Sequence, residues 1–409
     1  MAIIRPFRAL RPVPEKAEQV SCVPYDIVHE SEVREAIRHN PHTFLRVTRA
    51  EAEFPEGSNP PAVEVFERAR QNLQQLLSSG IYVVDEEPGL YVYRLSTETH
   101  VQTGVVACCS LDDYEAGVIK RHEKTRPDKV KDRTDHLLAV RAQTGLIFLA
   151  VRGTELIHEL LNEAVKAEPL YDFCCVQGVR HAFWKVANSQ GFVDAFADVD
   201  SLYIADGHHR AESADAARKW MREHNPSHAG DEDYNYVMAG IFPAEDLQIL
   251  AYNRVVTDLN GHSEEEFLSK LKENFMVSKT SNKQPVSHGD FSMYLGGGKW
   301  YKLHFAVDYE REPDPIERLD VSILQNYILA PILGITDVQT DNRISFIGGR
   351  RGIEELERLV DSGQAQVAFS LYPTTMDDLL AVSDAGEIMP PKSTWFEPKL
   401  KDGILVHLI

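Results

Sequence analysis

Leu202 to Ala214 read LYIADGHHRAESA, an apolar run that stops at Asp206 and Gly207 and then changes to the spacing of a helix. This pattern predicts a buried strand, a turn centred on glycine, and a helix that begins within two residues of that turn. The first amide groups of a helix have no partner inside it, and its dipole is positive at that end. The stretch therefore predicts an anion site, with the amide of Gly207 among its donors.

The side chains of the same turn suit a phosphoryl group. Arg210 offers a planar fork that matches phosphate oxygens, and His208 and His209 add donors beside it. Asp206, at the end of the strand, is placed to hold a divalent cation such as Mg²⁺ or to accept a proton from a substrate hydroxyl. The alternative is that Asp206 caps the helix and that both histidines lie on a solvated first turn.

A second cluster of charge spans residues 120–133, where seven of the fourteen residues are Lys or Arg. One interpretation is a mobile basic loop that closes over a polyanionic phosphate donor, because phosphoryl transfer depends on charge neutralisation. In this interpretation Lys124, Lys131 and Arg133 neutralise the donor. Glu123 would then act as a base or as a ligand of Mg²⁺. The alternative is a solvated charged face.

Two further stretches could complete the same site. Near the carboxyl end, two prolines precede residues that offer a cation, hydroxyl groups and backbone donors to a phosphate: Lys392, Ser393 and Thr394. Near the start, three residues are candidates for the wall of a substrate cleft: Tyr25, Asp26 and Arg46. The alternatives are a proline-stiffened surface loop, a simple turn, and a core strand that ends in arginine.

The composition limits the class of protein. The chain has 409 residues, 43% of them hydrophobic and 26% charged, and its formal net charge is −20. These values are typical of a globular protein and not of a disordered one. Binding to nucleic acid or to an anionic membrane is not expected, because it depends on Lys and Arg releasing counterions. A local basic pocket for a small anionic substrate remains open, and so does the oligomeric state.

We expect a cytoplasmic protein. No signal peptide is recognisable, because Arg5 and Pro6 interrupt the only apolar run at the start. The longest clearly apolar run, residues 145–151, is far shorter than the ~20 residues that a membrane helix needs. The cysteines lack the spacing of a zinc site and are expected to be reduced, buried thiols: Cys22, Cys108, Cys109, Cys174 and Cys175.

Strand-like and helix-like stretches alternate without repeats, which predicts a mixed α/β fold of the α+β type. Helices are predicted at 31–39, 60–80, 134–143, 155–164 and 208–223. Strands are predicted at 43–47, 90–95, 101–110, 146–151, 181–187 and 202–205, with a hairpin of 291–295 and 300–305 around Gly296–Gly298. Possible boundaries near Glu115 and Ala244 give an N-terminal α/β segment, a core with the 202–214 motif, and a C-terminal α/β segment: 1–115, 116–244 and 245–409.

Six motifs in fixed order carry a resemblance to a known family: PFRA at 6–9, PYD at 24–26, HEKT at 122–125, KDR at 131–133, DGHHR at 206–210 and MPPKST at 389–394. Together they resemble the large bacterial family catalogued as domain of unknown function 1015, over nearly the whole chain. The DGHHR segment is also similar to the phosphate-binding turn shared by ParB, sulfiredoxin and the free serine kinases of archaea. The resemblance implies a ParB/sulfiredoxin-like core elaborated by additional sheet-and-helix segments.

The resemblance implies phosphate chemistry more than work on DNA, since neither the helix-turn-helix nor the basic surface of ParB is recognisable here. Members of the family accompany genes of phosphoserine metabolism. This association implies phosphorylation of free serine with ATP, ADP or pyrophosphate as the donor. One departure is Ala211, where the family often has Tyr or Phe after the motif arginine.

The leading hypothesis is therefore a small-molecule phosphotransferase. Its candidate catalytic residues are Asp206, Glu123, His208 and His209, and the other basic and hydroxyl groups of the motifs would bind phosphate. Two alternatives stay open: a nucleotide-binding regulatory protein of the ParB type that transfers no phosphoryl group, and a phosphatase that acts on phosphoserine-like esters. No nucleic-acid partner is expected.

Overall fold

The computed structural model describes residues 1–175, 178–307, 313–348 and 351–409. Contacts between Cα atoms divide the chain into two units. The first comprises Met1–Arg121, Thr125–Leu247 and Pro398–Ile409, and the second comprises His122–Lys124 and Gln248–Glu397. The predicted boundary near residue 115 falls inside the first unit, and that near residue 244 lies close to Leu247. The division into three segments stays a prediction.

The first unit is built on a mixed sheet. In the described residues, the strands of this unit are β1 (Ile4–Arg5), β2 (Ala9–Pro12), β3 (Tyr82–Val84), β4 (Tyr91–Ser96), β5 (Val101–Ser110), β6 (Ile119–Lys120), β7 (Ala142–Gln143), β8 (Ile147–Val151), β9 (Tyr171–Cys174), β10 (Arg180–Lys185), β11 (Leu202–Asp206), β12 (Tyr236–Pro243) and β21 (Val406–Leu408). The large sheet has the order β6-β11-β8-β12-β5-β4-β10-β9, and β1 pairs with β5. The pairs β6/β11 and β8/β12 are parallel and the other pairs are antiparallel.

Helices cover this sheet, and their apolar faces form the core with it. In the described residues they are α1 (Ala17–Val20), α2 (Glu30–His39), α3 (Leu45–Thr48), α4 (Ala62–Ser78), α5 (Leu111–Glu115), α6 (Pro127–Val140), α7 (Glu155–Ala164), α8 (Ser189–Ala197) and α9 (His208–His224). Strand β8 is buried along its whole length. Helix α9 buries Ala211, Ala214 and Ala217 in the same core as the apolar residues of β11, and these small side chains allow a close approach.

A second, small sheet of the first unit has the order β3-β2-β21-β7. Strand β21 lies between β2 and β7, so the last residues of the sequence become an interior strand of this sheet. Just before it, the backbone of Asp402 exchanges hydrogen bonds with that of Cys22, at 2.9 and 3.1 Å. This pairing fixes the segment that follows Pro398 within the first unit.

The second unit is a separate α+β structure. Its strands in the described residues are β13 (Ile249–Leu250), β14 (Tyr252–Val256), β15 (Phe275–Lys279), β16 (Asp290–Tyr294), β17 (Trp300–Phe305), β18 (Ile344–Gly348), β19 (Val367–Leu371) and β20 (Trp395–Phe396). One antiparallel sheet has the order β15-β17-β16-β19-β14-β18, and β13 pairs with β20. The helices are α10 (Glu264–Leu271), α11 (Asp320–Leu324), α12 (Gly352–Asp361) and α13 (Met376–Asp384), with a π-helical turn at Gln325–Leu329.

The predicted α+β class is confirmed, and most elements with clear periodicity lie where the sequence indicates. Helices α2 and α4 occupy the predicted 31–39 and 60–80 stretches, and α7 matches 155–164. The triple-glycine hairpin joins β16 to β17, with Gly296, Gly297 and Gly298 at positive φ.

One predicted strand is wrong, and one predicted helix, 134–143, is present with other bounds, because it spans Pro127–Val140 and Ala142–Gln143 form β7. Residues 43–47 are not a strand, because Leu45–Thr48 form the short helix α3, in which the amides of Val47 and Thr48 donate to the carbonyl of Phe44. A short, mostly apolar run does not distinguish a strand from a helical turn. The predicted helix 134–143 begins earlier, at Pro127, which fits the first helical position because proline lacks an amide hydrogen. Residues 127–133 are therefore helical and not part of a mobile loop.

The cysteines are free, as expected, but they are not all buried. Cys22, Cys108 and Cys109 lie in the interior, whereas Cys174 is exposed and Cys175 is half-buried. Cys174 ends β9, the outermost strand of its sheet, where one face is open.

Within the described part of the chain, no helix combines the length and the apolar character needed to cross a bilayer.

Candidate functional site

The turn between β11 and α9 is shaped by a bulge and a glycine. Ile204 pairs with Leu149 and Asp206 pairs with Phe148, so Ala205 is an extra residue in β11. Such bulges re-aim the side chains beside them. Gly207 then precedes α9 with φ +96°, a conformation that other residues rarely adopt. The predicted strand, turn and helix are thus present, and the turn directs Asp206 and Arg210 toward each other.

Asp206 is held as an ion by two cations. Its Oδ2 accepts a hydrogen bond from Nζ of Lys399 at 2.6 Å, and its Oδ1 lies 3.9 Å from Nη2 of Arg210. Burial would raise the pKa of Asp206, but the charges of Lys399 and Arg210 outweigh it and hold the pKa below its ordinary value. Asp206 is therefore ionised at neutral pH and is a weak base.

Arg210 is turned inward, with its side chain 13% exposed. Its Nη1 donates to the carbonyl of Leu146 and lies 3.9 Å from Oδ1 of Asp402, while its buried Nε has no hydrogen-bond partner among the described residues. Burial would lower the pKa of Arg210, but Asp26, Asp402 and Asp206 raise it above the ordinary value. The guanidinium therefore stays charged and holds carboxylates of the chain itself in place.

Asp402 is the titratable group best suited to proton transfer at this site. Its side chain is 2% exposed, and its Oδ1 has no hydrogen-bond partner among the described residues. Burial raises the pKa of Asp402 to about 7, against the opposing charge of Arg210 and with the support of Asp26. A Cβ at Gly145 would lie 2.5 Å from Oδ1, so the carboxyl occupies space that only glycine leaves. A carboxyl with this pKa can act as a general base near neutral pH.

A small pocket of about 40 Å³ lies beside these groups. Among the residues that line it are Tyr25, Arg133, Arg210, Gly145 and Asp402. The guanidinium carbon of Arg133 is 4.5 Å from the centre of the Tyr25 ring, a cation–π contact. Burial and the nearby charge of Asp26 raise the pKa of Tyr25 to about 12, so its hydroxyl stays protonated. The pocket has room for a few water molecules, far less than a nucleotide needs.

Of the two histidines of the motif, His209 makes a hydrogen bond that fixes its protonation state. Nε2 of His209 accepts a hydrogen bond from the backbone amide of Arg126 at 3.1 Å, which requires a neutral ring. Burial lowers the pKa of His209 in agreement with that bond. His208 is buried. Because Arg126 directly precedes α6, its bond to His209 helps to hold the start of that helix. The hydroxyl of Ser213 donates to the carbonyl of Val130 at 3.1 Å, which is a second link between α9 and α6.

The remaining predicted residues of the first unit are dispersed. Lys131 is exposed and pairs with Asp135 at 2.6 Å, and it is not among the residues that line the pocket. Arg46 pairs with Glu53 and donates to Asn72 at 3.1 Å, which joins α3 to α4. Asp26 is exposed, and it acts on the pocket through its charge. The structure therefore brings together Tyr25, Arg133, Asp206, Gly207 and Arg210, but not Lys131 or Arg46.

Other predicted residues belong to the second unit, where two motifs meet. The amide of Met389 donates to the carbonyl of His122 at 2.8 Å, and Oγ1 of Thr394 lies 3.5 Å from Nε2 of His122. Ser393 donates to the carbonyl of Pro390 at 2.6 Å, which closes the loop locally. The roles of Glu123, Lys124, Lys392, Ser393 and Thr394 toward a phosphate donor stay predictions.

The sequence reasoning missed Lys399, Asp402 and Gly145. The first two lie in a short charged stretch, KLKDG at 399–403, followed by the apolar run at 404–406. That pattern was the available signal, since charged residues drawn into the interior beside an apolar run are rarely buried unless they are paired. Gly145 gives no signal by itself, because its role depends on a side chain more than 250 residues away in the sequence.

Several solved structures share a weak likeness with this chain. A free serine kinase variant in complex with AMP is 16% identical, with a TM-score of 0.38, over 74% of this chain and 92% of that one. SbnI from Staphylococcus aureus, truncated at its carboxyl end, is 13% identical with a TM-score of 0.39, over 74% and 87%. A conserved hypothetical protein from Pyrococcus furiosus is 15% identical with a TM-score of 0.36, over 74% and 95%. These likenesses are too weak to assign an activity or a ligand.

No curated protein matches the chain in sequence. A family model does, over residues 4–322, which include the first unit apart from its ends and the first part of the second. The match covers the PFRA, PYD, HEKT, KDR and DGHHR motifs and ends before MPPKST. The chain thus belongs to the family described as protein of unknown function, DUF1015.

Proposed function

We propose that this chain is a small-molecule phosphotransferase that phosphorylates free serine from ATP, ADP or pyrophosphate. The observation that carries the proposal is the carboxyl of Asp402, which is buried, has a pKa of about 7 and lies 3.9 Å from Arg210. It faces a pocket beside the start of a helix, where backbone amides favour phosphate oxygens. A hydroxyl acceptor needs such a base at neutral pH.

In the proposed reaction the Asp402 carboxylate takes the proton of the serine hydroxyl. The hydroxyl oxygen forms a bond to the terminal phosphorus of the donor as the bond to the leaving oxygen breaks. The leaving group is ADP, AMP or phosphate for the three donors in turn. Arg133 and the first amides of α9 bind the transferred phosphoryl oxygens, and Arg210 positions Asp402 and Asp206.

Charge on the donor is neutralised in this proposal by Lys124, Lys392 and the hydroxyl groups of the 389–394 loop, together with Mg²⁺. Asp206 or Glu123 is the proposed Mg²⁺ ligand. Because Oδ2 of Asp206 accepts from Lys399, a cation there would replace the ammonium group. The similarity of the DGHHR turn to that of ParB and sulfiredoxin supports a phosphate-binding core, and a nucleotide donor would place the reaction in the cytoplasm.

The test is a phosphorus NMR assay of serine with each donor, with and without Mg²⁺. Wild type is compared with Asp402→Asn and Arg210→Ala. The matched controls are Asp172→Asn and Arg180→Ala, which break an exposed ion pair between β9 and β10. We expect phosphoserine from wild type and both controls, and a loss of about 10²–10⁴-fold in Asp402→Asn, the usual contribution of a general base.

The other outcomes separate the alternatives. Nucleotide binding without a phosphorylated product would identify a regulatory protein, and release of phosphate from phosphoserine would identify a phosphatase. Equal turnover by wild type and Asp402→Asn would remove Asp402 as the base.

A further inference from the structure

The second unit contains a larger pocket, of about 240 Å³, that the proposed function does not use. Arg254 of β14 lies at this pocket, with apolar walls from Val321, Leu329 and Phe346, and with Gln325 and Pro390 also lining it. A pocket of this kind, mostly apolar with a few polar groups, is typical of small-ligand sites.

Arg254 is 4% exposed, and among the described residues no carboxylate acts on its charge. Its Nη1 donates to the carbonyl of Tyr252, and its Nη2 donates to that of Lys392 at 2.9 Å. Its guanidinium carbon is 5.2 Å from the centre of the Phe346 ring. Burial without an acidic partner lowers the pKa of Arg254 to about 10. A buried charge is normally paired, so this one lacks its expected anion.

The backbone around Arg254 is held in unusual conformations. Lys392, whose carbonyl accepts from Arg254, has φ +61°, which costs energy in a residue with a side chain. Gln325 begins the π-helical turn Gln325–Leu329, a rare form that is frequent at functional sites. Strain of this kind persists where the surrounding structure requires it, and it clusters at ligand sites.

Gln325 adds a second unpaired polar group. Its Nε2 donates to the carbonyl of Ile335 at 2.9 Å, which leaves the buried Oε1 as an acceptor with no partner among the described residues. Asp337 lines the same pocket, is exposed, and accepts from the amide of Gln339 and the hydroxyl of Thr340. The pocket thus offers a cation for an anion, an acceptor for an N–H or O–H group, and apolar walls for a hydrocarbon.

We propose that this pocket binds a nonpolar amino acid, with its carboxylate on Arg254, its ammonium group toward Gln325 and Asp337, and its side chain against Phe346, Val321 and Leu329. A carboxylate fits better than a phosphate dianion, because one guanidinium supplies one charge and the walls are apolar. The inference does not depend on the phosphotransferase proposal, since its test measures binding and needs no turnover.

The test is calorimetric titration of the full chain with leucine, methionine and phenylalanine, one at a time. Leucinamide, which lacks the carboxylate, and 4-methylpentanoate, which lacks the ammonium group, separate the two polar contacts. We expect at least one of the three amino acids to bind, and each truncated analogue of leucine to bind at least tenfold more weakly than leucine. Inorganic phosphate at equal concentration should not compete.

Three variants complete the test. Arg254→Met keeps the size of the side chain and should weaken binding at least tenfold, because the carboxylate of the ligand loses its charged partner. Val338→Trp fills the pocket from its loop and should also abolish binding. Arg343→Met is the control, because Arg343 is paired with Asp341 at 2.7 Å in the same unit.

A purely structural Arg254 gives the opposite pattern. In that case Arg254 serves only as the donor to the carbonyls of Tyr252 and Lys392, and none of the amino acids binds wild type. Should Arg254→Met not fold, unaltered binding by Val338→Trp would overturn the proposal by itself.

Discussion

Asp402→Asn should change how the free energy of unfolding depends on pH. The carboxyl is 2% exposed, and its pKa is about 7 in the folded chain against an ordinary value of 3.8. Between these two pH values the folded chain keeps the proton and the unfolded chain has lost it. The wild-type protein therefore loses stability as pH rises through this window. Asparagine does not titrate, so the variant lacks this loss.

The magnitude follows from the window. Each pH unit within it changes the free energy of unfolding by about 1.4 kcal/mol per group. Between pH 5 and pH 8 the wild type therefore loses about 3 kcal/mol from Asp402, most of it below pH 7, and at higher pH both states are ionised and the loss ends. Relative to wild type, Asp402→Asn should gain about 3 kcal/mol between pH 5 and pH 8. The group is fully buried, so solvent screening does not reduce this value.

The assay is urea unfolding at pH 5, 6, 7 and 8, followed by circular dichroism, for wild type, Asp402→Asn and Asp172→Asn. The control aspartate pairs with Arg180 in an exposed ion pair, and its lowered pKa keeps it ionised throughout this range. The free energy of unfolding of Asp172→Asn should differ from that of wild type by the same amount at every pH. A constant difference for Asp402→Asn as well would refute the reasoning, because Asp402 would then be ionised from pH 5 upward and could not be the proposed base.

Three further substitutions test the same site. Gly145→Ala should cost about 1–3 kcal/mol in stability and abolish transfer, because its Cβ would displace the Asp402 carboxyl; urea unfolding and the phosphorus NMR assay measure the two effects. Lys399→Met should cost about 1–3 kcal/mol at pH 7, because Asp206 then has only Arg210 as a partner cation. The cost should shrink as pH falls below about 4, because the unfolded chain then takes up a proton at Asp206 and the lowered pKa of the folded wild type adds less stability. Lys131→Ala should stay within about 0.5 kcal/mol of wild type, as an exposed pair with Asp135 is worth little; a larger change would contradict its placement.

Local patterns were enough for much of the fold. The apolar residues of α4 keep helical spacing between Pro61 and Gly80. Strand β11, the turn at Gly207 and the start of α9 were all predicted from the single stretch 202–214. The 43–47 segment was not predictable in this way, because a short, mostly apolar run fits either a strand or a helical turn. The start of α6 could have been recognised, since Pro127 is a good first helical residue and polar composition does not exclude a helix.

The candidate site was only partly predictable. Asp206, Arg210 and Arg133 were identified because each belongs to a dense local motif. Lys399 and Asp402 were missed because their importance comes from long-range pairing, which brings residues near the carboxyl end beside Asp206, Gly145 and Arg210. The sequence shows which residues carry charge, whereas burial decides which charges pair and which pKa values shift.

The position of β21 in the small sheet has a consequence for how the protein is made. Residues 398–409 are translated after the whole of Gln248–Glu397, so the second unit leaves the ribosome while the first still lacks an interior strand. Until then Asp206 and Arg210 have neither Lys399 nor Asp402 beside them. The candidate site therefore assembles only after residues 398–409 have left the ribosome, and a nascent chain stalled before residue 398 should be open to proteases in its first unit.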